Sequence, residues 1–134
     1  MLLIFGCVLL EAGCAPNPRK RAEAELRHGA AEQLRLDAAR LYKDTFSGHG
    51  RPDFVEVWYK EWPASFEKLR PLHVGVYHDG ISIALQTHDG GESGLYIVPQ
   101  SMEHQPTDER GAKFEQLADG VFWYSFPSAG KALW

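Results

Sequence analysis

Six histidines are the residues of this chain best suited to chemistry, and two of them open the same string, His78-Asp79-Gly80 and His88-Asp89-Gly90. An imidazole next to a carboxylate is the raw material of a metal site or of a general base. Distance opposes a shared ion. About seven strand residues at roughly 3.3 Å each separate the two strings, which puts them more than about 20 Å apart. Each is more simply a turn preceded by a polar residue. His73 and His88 make a better pair, because an unbroken hairpin register would place them diagonally on one polar face, within about 7–8 Å. Glu92 or His104 would complete a ligand set there. No His-x-x-x-His or Cys-x-x-Cys spacing fixes ligands on a single element, so neither a metal nor a cofactor is expected.

Nucleophilic catalysis has less to work with. Ser65, Ser82, Ser93, Ser101 and Ser125 all lie outside a Gly-x-Ser-x-Gly elbow. Asp89-Gly90-Gly91-Glu92-Ser93-Gly94 offers backbone N–H groups to an anion, but it lacks the lysine of a phosphate loop and precedes a strand instead of a helix. Asp108, Glu109 and Glu115 belong to or border a polar loop, where solvated charge is the default. No catalytic residue is assigned. The aromatics Trp58, Tyr59, Trp62, Tyr77, Tyr96, Trp123 and Tyr124 serve first as core in a body this poor in aliphatic residues. What remains is a possible ligand or partner face of His73, Tyr77, Gln86 and His88.

These residues need elements to hold them. From Pro18 to Phe46, Leu26, Ala30, Leu34, Ala38 and Leu41 or Tyr42 recur at helical spacing, which predicts one long helix. Glu23, Arg27, Glu32, Arg35 and Lys43 fall on its solvated side, and Gly48 or Gly50 suits its end. Phe54-Val55-Glu56-Val57-Trp58-Tyr59, within Pro52–Trp62, favours a strand, and a short helix fits between Pro63 and Pro71. Asp79-Gly80 predicts a two-residue turn between strands 72–78 and 81–87. If His78 faces Ile81, then Val76 faces Ile83 and Val74 faces Leu85. Val74, Val76, Ile81, Ile83 and Leu85 then form a core face, with His73, Gly75, Tyr77, Ser82, Ala84 and Gln86 opposite. A loop 88–93, a strand Gly94–Val98 and a second Asp-Gly hairpin at Asp119-Gly120 follow, joining Lys113–Ala118 to Val121–Phe126. The fold class is α+β: one long N-terminal helix packed on a small, mainly antiparallel sheet built from two Asp-Gly hairpins.

The N-terminus carries an address. Residues 1–14, MLLIFGCVLLEAGC, form an apolar run too short for the about 20 residues of a membrane-spanning helix, and they end in Ala12-Gly13-Cys14. This resembles the signal of bacterial lipoprotein precursors, in which small residues precede a cysteine that is acylated and becomes the mature N-terminus. Glu11 stands where that pattern has an aliphatic residue, and Leu10 is one place early. The resemblance implies cleavage after residue 13, lipid on Cys14, and a mature protein in the cell envelope facing the periplasm or the exterior. Residues 14–21 read as a proline-broken basic tether, and 22–134 as a single domain. From Trp62 onward the order Trp-Pro, Phe66/Leu69, Pro71, a Val-rich strand, Asp-Gly, then Gly94-Leu95-Tyr96-Ile97-Val98-Pro99 is similar to small bacterial proteins that carry no assigned activity.

Composition bounds the partners. The chain has 134 residues, 44% of them hydrophobic and 24% charged, with a net charge of −4, so nucleic acid is not an expected partner. Both cysteines, Cys7 and Cys14, lie in the signal, which leaves no disulfide in the body. The expected function is a membrane-anchored, non-catalytic binding or envelope-structure module. Two alternatives are a small periplasmic hydrolase or metal-dependent enzyme around His73 and His88, and an inhibitor or immunity-type protein that caps a partner. A protein partner fits the first and the last.

Overall fold

Pro18 opens the first helix, because its missing N–H falls among the donors that a first turn leaves free. Asn17 caps that turn, its side-chain oxygen accepting from the Lys20 N–H at 2.8 Å. The computed structural model describes residues 17–47, 54–88, 90–106 and 111–127. The signal segment, Cys14, Asp108 and Glu109 lie outside them.

The expected single helix is two helices, α1 (Pro18–Arg27) and α2 (Ala30–Phe46). Gly29 divides them with a left-handed backbone, φ +84°, a conformation that costs other residues about 1–2 kcal/mol. The Pro18–Arg21 part of the expected tether is the first turn of α1. There Arg19 pairs with Glu23 at 2.8 Å and Glu115 at 2.7 Å and lies 5.5 Å from the Trp123 ring centre. Arg21 donates to the Leu69 carbonyl at 3.4 Å. Arg19 and Arg21 of the expected basic tether are therefore spent on the protein's own body.

Six antiparallel strands follow: β1 (Phe54–Val57), β2 (His73–Tyr77), β3 (Gly80–His88), β4 (Gly91–Ile97), β5 (Lys113–Ala118) and β6 (Val121–Pro127), in the spatial order β1-β2-β3-β4-β6-β5. The α+β class stands, but the sheet exceeds two hairpins. Glu92 and Ser93, expected in a loop, are strand residues, and His88 pairs with Gly91 to close a third hairpin. Between β1 and β2 come a 3-10 turn (Tyr59–Glu61) and α3 (Ala64–Glu67), the short helix expected between the prolines.

The first hairpin is displaced by two residues from the expected register. Val76 pairs with Ile81 and Val74 with Ile83, leaving His78 and Asp79 as the turn. A shift of two preserves every face, so Val74, Val76, Ile81, Ile83 and Leu85 are all buried in the main core. The glycine at 80 serves packing, not a left-handed turn, since among the described residues φ is positive only at Gly29, Gly91, Gly111, Gly120 and Arg70. A Cβ on Gly80 would lie 2.4 Å from the Tyr96 ring.

Helices α1, α2 and α3 pack on one side of the sheet, where Ala22, Leu34, Ala38, Leu41, Phe66 and Leu69 meet the buried strand residues. The alanines allow close approach. Asp37, buried on α2, is satisfied by Ser65 at 2.6 Å and Gln33 at 3.1 Å, which ties α2 to α3. Tyr42 donates to the His78 carbonyl at 2.8 Å and anchors α2 to the first turn. Arg35, expected on the solvated side of the helix, is 15% exposed, its Nε donating to the Val98 carbonyl at 3.0 Å and its Nη1 to Asp119 at 3.2 Å. Gly120 makes room for it, because a Cβ there would sit 2.2 Å from that Nε.

Candidate functional site

The side of the sheet away from the helices carries a second, thinner layer. Tyr96, Val98, Phe122 and Tyr124 are buried there, with Tyr77, Met102, Phe114 and Phe126 half-buried around them. Small residues beneath make the layer possible. Phe54 lies over Gly75, where a Cβ would come within 2.1 Å of its ring, as Tyr96 lies over Gly80. The rings then meet edge-on or tilted across the strands: Phe54–Tyr77 at 4.9 Å, Tyr77–Tyr96 at 6.2 Å, Tyr96–Phe114 at 5.2 Å and Tyr124–Phe126 at 4.7 Å between centroids.

At one border of this layer three strands place polar groups together. Glu92 on β4 accepts from the Tyr124 hydroxyl of β6 at 3.0 Å through Oε1, and from His73 Nε2 of β2 at 2.6 Å through Oε2. An ionised carboxylate only accepts, so the contact assigns the proton to Nε2 of His73. At the other border the Tyr96 hydroxyl donates to Asp79. Ser82, 1% exposed, projects into the layer, and among the described residues its Oγ meets no partner in good hydrogen-bond geometry.

The electrostatics follow from this burial. Loss of water pushes the phenols of Tyr77, Tyr96 and Tyr124 above the ordinary phenol range. The Glu92 charge pushes Tyr77 and Tyr124 further in the same direction, and for Tyr96 the Asp79 carboxylate does so. The nearby Ser82 hydroxyl acts in the opposite direction on Tyr77 and Tyr124. Three hydroxyl groups therefore stay protonated donors throughout the physiological range, beside a carboxylate able to accept.

The expected face of His73, Tyr77, Gln86 and His88 is divided between the two sides of the sheet. His73 and Tyr77 belong to the open face. A β-bulge between Ala84 and Gln86 shifts the pairing so that Gln86 opposes Ser93, Thr87 opposes Glu92 and His88 opposes Gly91. Because opposed residues share a face, Gln86 and His88 turn to the helix side and Thr87 joins Glu92. His88 then meets Ser93 at 3.0 Å and not His73. The hydrogen-bonded partner of His73 is Glu92, while His104 lies in the connection after β4, at the far end of that strand. Among the described residues no three His, Cys, Asp or Glu side chains are grouped to hold a metal.

Glu92 and Tyr124 are the members that reading the sequence missed as a pair. Beginning β4 at Gly94 hid Glu92 in a loop; a strand begun at Gly91 puts it in line with Tyr96. No protein-family model matches this chain, and neither does any curated protein or solved structure. Among the described residues, no helix is long and apolar enough to cross a membrane.

Proposed function

We propose that this protein is a membrane-anchored, non-catalytic binding or envelope-structure module, held by lipid on Cys14, whose binding surface is the open aromatic face of the sheet. The observation that carries this reading is the run of partly exposed rings from Phe54 through Tyr77 to Phe126, bordered by the hydrogen-bonded His73–Glu92–Tyr124 group. Rings supply contact area at low entropic cost, and fixed polar groups at a border supply orientation. The anchor rests on the apolar run ending in Ala-Gly-Cys.

Two measurements test the two halves. Expressed in a bacterial host, the protein should incorporate labelled fatty acid and fractionate with membranes, and Cys14→Ser should abolish both; a wild-type protein that is unlabelled and keeps Met1 refutes the anchor. For the face, a photo-crosslinking residue at Phe54 should capture an envelope component that the same residue at Lys43, on the helix side, does not. Equal capture at both positions refutes the face.

A hydrolase reading draws on one observation, the 2.6 Å contact between His73 and Glu92, which is the geometry of an oriented general base. A hydrolytic activity of the purified protein that disappears in His73→Ala would put this reading first.

A further inference from the structure

At the opposite end of β4 from Glu92, α2, the connection after β4 and the β5–β6 turn enclose a cleft of about 490 Å³, within the range of small-molecule sites. Its floor is apolar: Val98 and Phe122 are buried and Met102 is half-buried. Its charged wall is Arg35. Packing and two hydrogen bonds hold this guanidinium, which commits Nε to a backbone carbonyl and Nη1 to Asp119, while Nη2 has no partner among the described residues. Asp119 itself is 94% exposed, so its grip on Nη1 is that of a water-screened surface pair, easily exchanged. A preset, partly desolvated guanidinium edge with an apolar floor beside it matches a carboxylate attached to an apolar body.

We propose that this cleft binds a small organic carboxylate with an apolar body, seated with its oxygens on the Nη2 edge of Arg35 and its body over Val98, Met102 and Phe122. The rim narrows the class. Glu103 and Asp119 place two carboxylates beside the single arginine and the imidazole of His104, a balance that disfavours doubly charged anions such as phosphate and favours a ligand with one negative charge. A ligand that also carries an ammonium group finds those two carboxylates waiting, so an amino acid with an apolar side chain suits the rim better than the same acid without its amine. This site shares Val98, Met102 and Phe122 with the end of the aromatic layer far from Glu92, but it does not depend on that layer being a binding face.

The test is an amide chemical-shift titration of the purified full-length chain with three probes of one shape: L-leucine, isocaproate and isopentylamine. Both carboxylates should move the Val98, Gln100 and Gly120 amides, and isopentylamine should not. Tighter binding of leucine than of isocaproate assigns the zwitterion; equal binding assigns the plain acid, and either supports the site. Arg35→Gln should abolish the shifts. Because Arg35 also ties the helix to the sheet, Gln100→Glu is the independent variant: it adds a negative charge at an exposed rim position and should weaken carboxylate binding about tenfold with the fold intact. No shift with either carboxylate at millimolar concentration overturns the proposal. So do shifts unchanged in both folded variants, or isopentylamine binding as well as leucine.

Discussion

Glu92 holds two donors, one from the adjacent β6 and one from β2 across β3, and Tyr124, fully buried, has Glu92 as its hydrogen-bond acceptor among the described residues. Removing the carboxylate would leave a buried hydroxyl unpaired, at a penalty of about 1–3 kcal/mol. Tyr124→Phe and Glu92→Ala should therefore be non-additive: in a double-mutant cycle followed by denaturant unfolding, their coupling should be at least about 0.5 kcal/mol. Additive effects would mean the bond is absent in solution. The neighbouring small residues give opposite outcomes. Gly80→Val would drive a side chain into the Tyr96 ring and should destabilise by about 1–3 kcal/mol through overpacking. Ser82→Ala removes a buried hydroxyl that meets no partner in good hydrogen-bond geometry among the described residues, and should be neutral, or stabilise by up to about 1 kcal/mol. Equal unfolding midpoints for these two variants would contradict the packing of the aromatic layer. His73 was legible as a residue of the open face because alternation along β2 is unbroken. Glu92 was named beside it but read as a loop residue because β4 was begun at Gly94, and His88 was misplaced because a bulge leaves no mark in residue type and reverses the faces of β3 beyond it.

Among the elements, the helix break turns on Gly29. Nothing lies within 4 Å of where its Cβ would be, so only its positive φ resists a side chain. Gly29→Ala should then destabilise by about 1–2 kcal/mol, and Gly29→Asn by less, because asparagine tolerates the left-handed region. Thermal or denaturant unfolding of the two variants checks the order; alanine equal to or above wild type would show that α1 and α2 can run on as one helix. The periodicity that predicted a single helix was sound on both sides of the break, since Leu26, Leu34, Ala38 and Leu41 all face the main core. An interior glycine costs a helix only about 1 kcal/mol, too little for its presence to announce a change of direction. The turn at Asp119-Gly120 was legible because its chemistry is local. Arg35 was not, because the groups it binds are brought to α2 only by the folded sheet.

The molecule as a whole has two unequal layers on one sheet, and pH separates them. The thin layer contains Tyr77, Tyr96 and Tyr124, whose phenols are raised in the folded state and return to about 10 when the chain unfolds. Their contribution to stability is complete below that value. It is lost as pH climbs above it, because the unfolded chain can then release protons that the folded one must keep. Phenolate absorbance and circular dichroism should accordingly rise and fall together in alkaline solution for these three residues, as ionisation waits for unfolding. Their ionisation near pH 10 with the fold intact would show that water reaches the layer freely.

The two borders of the sheet set how this protein can meet others. β1 is four residues long, and β5 carries a bulge between Gln116 and Ala118, exposed Lys113 and Glu115, and Arg19 reaching over to Glu115. Short, kinked and charged edges are poor templates for another chain's backbone. Edge-to-edge growth into aggregates is thereby discouraged at both ends of the sheet. Contacts made by this protein then run through side chains on its faces, where sequence rather than main-chain pairing decides the partner.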